Sequence, residues 1–336
     1  QVLGHRVTTN STTPTLTTPF LDTLSTTAYL DSLSNQIESM FNHAFTAYTT
    51  HAFGRDELMP LSCGARERSS QSRGEIDSQL GDFALTLVDS LDSIYLFKGR
   101  EYFEENVNWV IKNVSFDRNI TVSVFETIIR ILGGLLGAHA IITENGLHLA
   151  DSDNSALLDL AHDLGHRLLP AFEQSETGLP YSRVNLRHGV SQGLSSKISP
   201  AEAATCLMEF GALSRYTGDM RFEDAALRAI DQIWSRRSPL DLIGTQIDVE
   251  SGEWSQSLAS IGPGVDSFYE YLLKGYIFLD CHKCYDYFLK GYQAVELHIK
   301  HQDRWYVGVD GASGVTKNAQ AYGLSSFWSA LQVLAG

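Results

Sequence analysis

Residues 201–236, AEAATCLMEFGALSRYTGDMRFEDAALRAIDQIWSR, contain the structural unit on which much of the chain is built. The pattern predicts two helices, 201–216 and 221–236, joined by the short turn Thr217-Gly218-Asp219. The second helix starts with an aromatic residue, Phe222, soon after the turn. Because a turn this short places two helices side by side, the stretch predicts an antiparallel helical hairpin.

The same hairpin unit recurs on both sides of this stretch. Short turns at Lys98-Gly99-Arg100 and at 280–284 are each followed by a helix start that carries aromatic residues. Towards the N-terminus, apolar residues from Ile37 to Tyr48 recur at the spacing of an amphipathic helix. The further helices predicted in this way are 79–97, 102–113, 122–142, 155–172, 265–279 and 285–301.

A second repeat accompanies the helical one. Segments that alternate apolar and polar residues around glycines start at residues 178, 243 and 305, and each follows the outer member of a helix pair. Such segments predict short strands or hairpins, and the loops between repeated units collect on one face of a repeat protein. We therefore expect an all-α fold, a closed ring of helical hairpins (an α/α toroid) with short β-hairpins on one face.

The composition excludes several classes of protein. Of the 336 residues, 43% are hydrophobic and 19% are charged, which supplies a large core and excludes a disordered chain. The formal net charge of −15 makes nucleic acid an unsuitable partner, because binding to its phosphates requires a basic face. The most apolar stretch, 128–142, is interrupted by Arg130 and His139, so we expect no membrane span.

The N-terminal region differs from the rest of the chain. Residues 1–28 are rich in threonine and serine without apolar periodicity, which predicts a linker or disordered N-terminus before one folded domain at 29–336. The chain starts at Gln1 without a leader-like segment, so we expect that any signal peptide has been removed or was never included. N-glycosylation sequons at Asn10, Asn113 and Asn119 favour the secretory pathway modestly.

Glu126 and Arg130 lie one helical turn apart in one of the most apolar segments, SVFETIIRILGGLL at 123–136. One interpretation is a buried structural ion pair. The other is a carboxyl group whose pKa is set by burial beside a fixed arginine, as a general acid requires. The adjacent Gly133 and Gly134 each cost about 1 kcal/mol inside a helix, so they predict that another segment approaches closely there.

Asp266 and Glu270 form a second pair of charged residues one turn apart, in GPGVDSFYEYLLK at 262–274. Asp266 follows a Gly/Pro loop and could serve as a helix N-cap. Capping does not explain a second acid among aromatic residues. Carboxylates beside aromatic rings are typical of sugar sites, where rings stack on the sugar and acids bond hydroxyls or move protons.

Further acids lie near apolar helical stretches, and each taken singly is typical of a helix cap or a solvated face. If several faced the inside of one ring, they would form an electronegative cavity suited to a polyhydroxyl ligand or to Ca²⁺. These acids are Asp56, Glu57, Asp89 and Asp92.

The four cysteines are too few for a disulfide scaffold. Cys281-His-Lys-Cys284 is a single CxxC without a second ligand pair for zinc, which leaves a thiol pair, a local disulfide or redox exchange. Cys206 has the pattern of a core residue. The sequence contains no phosphate-binding glycine loop, HExxH motif or GxSxG motif.

Taken together, these segments resemble glycoside hydrolase family 47, the class I α-1,2-mannosidases. The resemblance extends from about Ser34 to the end. Within the family, residues 56–63 and 123–126 resemble the ER degradation-enhancing α-mannosidase-like branch, and Gly264 stands where the ER processing mannosidase carries an arginine. The motifs that carry the resemblance are HAFGRDELMPL at 51–61, LTLVDSLDS at 85–93, FETIIRILGGLL at 125–136, GLP at 178–180 and DSFYEYLLK at 266–274.

The resemblance implies an (α/α)7 barrel that removes terminal α-1,2-linked mannose from mannose-rich N-glycans of misfolded glycoproteins in the ER lumen, with inversion. It implies that Glu126 is the general acid acting through water and Asp266 a second catalytic carboxylate. It also implies bound Ca²⁺ at the barrel floor. The remaining matched pocket positions are Arg130, Glu270, Asp56, Glu57, Asp89 and Asp92.

Family members continue beyond the point that matches residues 331–336. The further part carries the last hairpins, another catalytic acid and the threonine that ligates Ca²⁺. We therefore expect a barrel short by about two hairpins, no metal ligand in this sequence, and a partner for Cys63 in that part. Two alternatives to catalysis stay open: a glycan-binding module that recruits misfolded clients, and a redox partner of a protein disulfide isomerase.

Overall fold

The computed structural model describes residues 26–66, 68, 73–149, 152–301 and 305–336. The chain divides into two compact units, Gln1–Thr46 and Ala47–Gly336. Most of the linker predicted at 1–28 lies outside the described residues. Residues 26–28 are helical, so helix α1 includes the last three residues of the predicted linker.

Helix α1 (Thr26–His51) begins in the first unit and ends in the second, and it confirms the helix predicted around 37–48. The rings of Phe41 and Phe45 stack within it, with their centroids 5.3 Å apart. The predicted apolar stripe is only partly covered, because Phe45 is buried whereas Ile37 and Met40 are 55% and 71% exposed.

The second unit contains the helical hairpins, and most predicted helices are confirmed within a few residues. One long helix, α6, contains a π-helical segment at Thr127–Leu132, and a π-helical turn at Val295–Ile299 follows α13. The helices are α2 (Glu75–Gln79), α3 (Leu85–Asp89), α4 (Leu91–Lys98), α5 (Arg100–Asn113), α6 (Val124–Glu144), α7 (Ala156–Leu168), α8 (Pro170–Glu173), α9 (Pro200–Ala204), α10 (Leu207–Thr217), α11 (Arg221–Ser235), α12 (Asp266–Leu279), α13 (His282–Ala294) and α14 (Phe327–Ala335).

Short antiparallel strands connect the hairpins. They pair as β1–β2, β3–β4, β5–β6–β7 and β8–β9–β10 once numbered along the chain. The segments at 243 and 305 form the expected hairpins, whereas the strand in the segment at 178 pairs with the distant residues 121–123. The strands are β1 (Glu57–Met59), β2 (Gly64–Arg66), β3 (Thr121–Ser123), β4 (Arg183–Asn185), β5 (Lys197–Ile198), β6 (Gln246–Asp248), β7 (Trp254–Gln256), β8 (Leu258–Ala259), β9 (Gly308–Asp310) and β10 (Thr316–Asn318).

The helices of the second unit form two layers. In one layer, α4 packs against α6, α6 against α10, α10 against α12 and α12 against α14. The second layer contains α5, α7, α11 and α13, each of which is the hairpin partner of a helix in the first layer. The core between them includes Phe103, Phe210, Phe222 and Phe268, all fully buried. This alternation confirms the predicted series of α/α hairpins.

Two of the predicted helices are interrupted, which corrects the predictions at 79–97 and 201–216. The first breaks at 80–84, where Asp82 and Ala84 adopt left-handed backbone conformations. The second breaks at Thr205 and Cys206, whose backbone angles are not helical. The first break is bound by the Asp56 carboxylate, as described below, and at the second the Thr205 hydroxyl donates to Ser267 Oγ at 2.7 Å. A helical period cannot reveal such tertiary contacts.

Helix α6 is, among the residues that the structure describes, the one helix long and apolar enough to cross a membrane. The prediction from the interrupted stretch 128–142 did not anticipate a helix of this length and composition. Core helices of other proteins pass the same test, and α6 packs against α3, α4, α7 and α10 as a core helix does.

Candidate active site

Glu126 lies in the first turn of α6, directly after strand β3. Strand β3 pairs with β4, and the Val124 amide continues the ladder by donating to the Ser182 carbonyl at 3.0 Å. The Ser123 hydroxyl caps the helix by accepting from the Glu126 amide at 3.3 Å. The carboxylate is therefore held near the positive end of the helix dipole, where a negative charge is stabilised.

Glu126, Arg130 and Asp89 form a connected charge cluster, as the spacing of the first two predicts. Arg130 Nε donates to Glu126 Oε2 at 2.7 Å, and Arg130 Nη1 lies 3.7 Å from Asp89 Oδ2. Partial burial alone would lower the pKa of Arg130, but its bonds to Glu126 and Asp89 raise that pKa above the usual value. Partial burial raises the pKa of Asp89, against the effect of the Arg130 charge.

The close approach predicted at the glycine pair exists at Gly134. A Cβ atom there would lie 2.5 Å from the Val88 carbonyl oxygen and 2.9 Å from its carbon. At Gly133 the nearest atoms would be 3.6 Å away or more, which is an ordinary contact. Gly134 therefore allows α3 to lie against α6 and so keeps Asp89, the next residue after Val88, beside Arg130.

Asp266 occupies the first position of α12 and Glu270 lies one turn further on. The loop before them is fixed to α9 by the Ala201 amide, which donates to the Gly264 carbonyl at 2.9 Å. Partial burial raises the pKa of Asp266, and the Glu270 charge adds to the effect. Glu270 pairs with Lys274. These two acids are thus placed at the start of α12, as Glu126 is in α6, and both helices belong to the same layer.

A further acid, Glu209 of α10, was not identified from the sequence. Tyr271 donates its hydroxyl hydrogen to Glu209 Oε1 at 2.8 Å, and Glu209 Oε2 is shielded from solvent without a hydrogen-bond partner among the described residues. Burial raises the pKa of Glu209 to about 7. Its side chain also lies 3.8 Å from the position of a Cβ at Gly133. Glu209 therefore connects α10 with both α6 and α12.

The other predicted pocket acids have different surroundings. Asp56 is buried, and its carboxylate accepts from the amides of Asp82, Phe83 and Leu85 at 2.7, 2.8 and 3.1 Å. The structure thus gives Asp56 a positioning role, because these amides belong to the break before α3. Glu57 is half-exposed and pairs with Arg66 across β1–β2, with Oε2 and Nε 3.0 Å apart.

Asp92 is exposed and accepts from the amide and the hydroxyl of Ser93. It lies in the first turn of α4, where a carboxylate is favoured by the helix dipole, and its hydrogen bonds are local ones to the next residue. The structure does not bring it into the cluster of Glu126 and Arg130 through any direct bond among the described residues.

Two cavities lie among the strands of the second unit, and amide and hydroxyl side chains line part of each. One, of about 370 Å³, is lined by residues of β6 to β10 together with Gly264, Tyr306 and Tyr322. The other, of about 400 Å³, is lined by Ser123 and by residues around β4 and β5. Gln246 lines both cavities, so polar surface extends from the start of α6 to the loop before α12.

Among the cysteines, Cys281 and Cys284 form a disulfide with their Cα atoms 5.3 Å apart. The two cysteines are thus bonded to each other, as the local-disulfide interpretation predicts; redox exchange, whose oxidised form is the same disulfide, is not tested by this bond. Cys206 is a buried free thiol, as predicted for a core residue, and Cys63 is an exposed free thiol.

The fold is similar to that of a solved α-1,2-mannosidase from Trichoderma reesei. The TM-score is 0.77 at 24% sequence identity, over 91% of this chain and 64% of that chain. This similarity supports the α/α barrel fold.

Curated relatives extend the comparison. Alpha-mannosidase I MNS4 from Arabidopsis thaliana is 45% identical over 306 residues, which is 90% of this chain and 47% of the relative. The human ER degradation-enhancing alpha-mannosidase-like protein 3 is 43% identical over 74% of this chain and 27% of its own length. The mouse ER degradation-enhancing alpha-mannosidase-like protein 2 is 38% identical over 90% of this chain and 50% of the relative. The chain thus spans about half the length of these relatives or less.

The family model for glycosyl hydrolase family 47 matches residues 40–336. This range contains both acidic helix starts, the Glu126–Arg130–Asp89 cluster and the strand-side cavities. The chain belongs to glycosyl hydrolase family 47.

Proposed function

We propose that this protein is an α-1,2-mannosidase that trims mannose-rich N-glycans on misfolded glycoproteins in the ER lumen. The observation that carries the proposal is the pair of acidic helix starts, Glu126 in α6 and Asp266 in α12, whose chain neighbours Ser123 and Gly264 line two cavities that share Gln246. Sugar sites require such polar groups to bond hydroxyls and acids to move protons. The names of the ER degradation-enhancing relatives support the substrate and the compartment.

In the proposed reaction, Glu126 supplies a proton, through a water molecule, to the glycosidic oxygen as the bond to the anomeric carbon breaks. A second water attacks that carbon from the opposite face and gives its proton to a carboxylate, which inverts the configuration. Asp266 is the second carboxylate that we assign to catalysis. Arg130 fixes Glu126 through Oε2, whereas Oε1 has a long contact of 3.5 Å with Gln79.

We assign no step to Ca²⁺, although family 47 implies it. The His/Cys/Asp/Glu side chains whose ligand atoms converge in groups of three, within the described part of the chain, are His162, His166 and Asp219. Two imidazole nitrogens do not suit Ca²⁺, which prefers six to eight oxygen ligands. The residues described therefore do not form a side-chain cage for this ion.

The test is mass spectrometry of a mannose-rich N-glycan incubated with the chain, with an active family member in parallel. We expect loss of hexose units from a domain completed with the further part of the family, and on the order of 10²-fold or greater loss of rate when Glu126→Gln is made in it. The matched control is Glu101→Gln, at an exposed position in the first turn of α5. NMR of the released sugar should show the β-anomer first. Unchanged turnover in Glu126→Gln would remove this residue from the mechanism.

A second candidate function is glycan binding without turnover, as a module that recruits misfolded clients. The strand-face cavities favour it, because their amide, hydroxyl and tyrosine groups bind sugar without needing a catalytic acid. Retained binding of the same glycan with no release of hexose, by a wild-type domain completed with the further part of the family, would support this function over hydrolysis.

A partnership with a protein disulfide isomerase stays a prediction. It rests on the exposed Cys63 thiol, since Cys281 and Cys284 are paired with each other. A mixed disulfide trapped on non-reducing gels should disappear in Cys63→Ser, and co-purification unaffected by that change would contradict the idea.

A further inference from the structure

A cluster of potential metal ligands lies on α7 and beside α11, two helices of the second layer, apart from the acids of the proposed mechanism. His162 and His166 are one turn apart on α7, and Asp219 is in the turn between α10 and α11. Their ligand atoms all lie within 4.8 Å of one another. Two histidines at i and i+4 with a third ligand from another element are a common arrangement for transition metals.

The distances match the ligand shell of a small tetrahedral ion. The two Nε2 atoms are 3.0 Å apart, and Asp219 Oδ2 lies 3.6 Å from that of His162 and 3.8 Å from that of His166. Ligand bonds of about 2.0–2.1 Å in a tetrahedron give ligand–ligand separations of about 3.3 Å. One hydrogen shared between the imidazoles would explain the shortest distance, but it would not explain why the carboxylate faces both rings.

The three side chains are held in place by contacts that do not involve a metal. The edge of Phe222 packs against both imidazole rings, with centroid distances of 5.8 Å to His162 and 5.3 Å to His166. The turn that carries Asp219 is fixed by the Ser214 hydroxyl, which donates to the Asp219 carbonyl at 2.7 Å. Preorganised ligands of this kind bind an ion without a large rearrangement.

The side chain of Arg221 would compete with a metal ion for Asp219 and His166. It forms an ion pair with Asp219 at 2.6 Å, and its Nη2 lies 3.4 Å from Nδ1 of His166. A bound cation would have to draw the carboxylate from Arg221 and would be repelled by its charge. The side chain of Arg221 is more than half exposed, so it is able to turn outwards.

We propose that His162, His166 and Asp219 bind a divalent transition-metal ion, with Zn²⁺ as the best-matched ion. Two imidazole nitrogens and one carboxylate oxygen suit zinc, and a water molecule completes the fourth position. The histidine side chains are 36% and 37% exposed, so an ion has access from solvent. The ion would connect α7 to the start of α11 and thereby link two successive hairpins on the outside of the domain.

The test is isothermal titration of the full chain with Zn²⁺, in a Cys63→Ser background and without reductant, so that the exposed thiol does not compete and the disulfide is retained. We expect one ion per chain. His162→Gln, His166→Gln and Asp219→Asn should each weaken binding about tenfold or more, the scale seen even for partners outside the first ligand shell. The exposed histidine variant His188→Gln is the matched control and should bind as the wild type does.

Two further measurements separate a built site from nonspecific binding. Arg221→Gln should tighten Zn²⁺ binding, because it removes the competing cation, and Co²⁺ should show the visible bands of tetrahedral coordination. Circular dichroism without metal should show all variants folded. Absence of stoichiometric binding by the wild-type chain, or equal affinity in His162→Gln, would overturn the proposal, as would weaker binding in Arg221→Gln.

Discussion

Gly134→Ala tests whether α3 is held against α6 by the absence of a side chain at this position. In a helix interior, alanine is favoured over glycine by about 1 kcal/mol. Without a tertiary contact, the substitution would therefore stabilise the protein. The matched control is Gly137→Ala in the same helix, because a Cβ there would meet nothing within 4 Å.

The magnitude follows from the contact distances. The new Cβ would lie 2.5 Å from a backbone oxygen and 2.9 Å from a backbone carbon of Val88, where no flexible side chain can yield. Overpacking of this kind costs about 1–3 kcal/mol, which offsets or exceeds the helical gain. Gly137→Ala should thus be more stable than Gly134→Ala by about 1–3 kcal/mol.

The assay is urea unfolding of the wild type and both variants, compared at equal m-values. Since Asp89 follows Val88, displacement of α3 should also lengthen the contact between Asp89 and Arg130. If the protein hydrolyses mannose as proposed, Gly134→Ala should therefore lower turnover more than Gly137→Ala does. Equal stability of the two variants would refute the view that Gly134 is needed for this approach.

The remaining predictions concern three other sites. Asp56→Ala should lower the free energy of unfolding by about 3 kcal/mol or more, because three backbone amides lose their carboxylate acceptor. Asp92→Ala, at an exposed position, should change the free energy of unfolding little. A small effect of both substitutions would contradict the positioning role of Asp56. Burial raises the pKa of Glu209 from 4.5 to about 7, so the folded state binds more protons than the unfolded state in this range, and the wild type should lose stability as pH rises from about 4.5 through 7. Glu209→Gln should remove this part of the pH dependence. If the variant keeps the same slope of stability against pH, Glu209 is excluded as its source. Micromolar Ca²⁺ should leave the Tm unchanged, and a clear rise would show that backbone and other oxygens, rather than acidic side chains alone, bind the ion.

The helical hairpins could be predicted because their information is local. The turn Thr217-Gly218-Asp219 lies between two amphipathic stretches, and both helices form where the pattern places them. The pairing of β3 with β4 could not be predicted, since the two strands are three residues long and are separated by three helices, α6 to α8. The break before α3 likewise depends on Asp56, whose carboxylate reaches amides 26 to 29 positions along the chain.

The acids of the site were predicted unequally for similar reasons. Glu126 and Asp266 each have a charged residue one turn further along, and that spacing directed attention to them. Glu209 stands alone in the apolar segment 206–213, so it lacked this signal, although a single acid among apolar residues was itself informative. His162 and His166 have the required spacing, but Asp219, their common neighbour, follows more than fifty residues later and becomes visible only in three dimensions.

The π-helical segment at Thr127–Leu132 lies between two residues of α6 whose directions are set by different neighbours. Glu126 must leave strand β3 in a fixed direction, and Gly134 must face Val88. A π segment contains one residue more than a regular helix of the same extent, and each residue turns the helix by about 100°. The π-helical segment therefore sets the angle about the helix axis between Glu126 and Gly134. An insertion or deletion within the segment would rotate Glu126 relative to Gly134 without changing either residue.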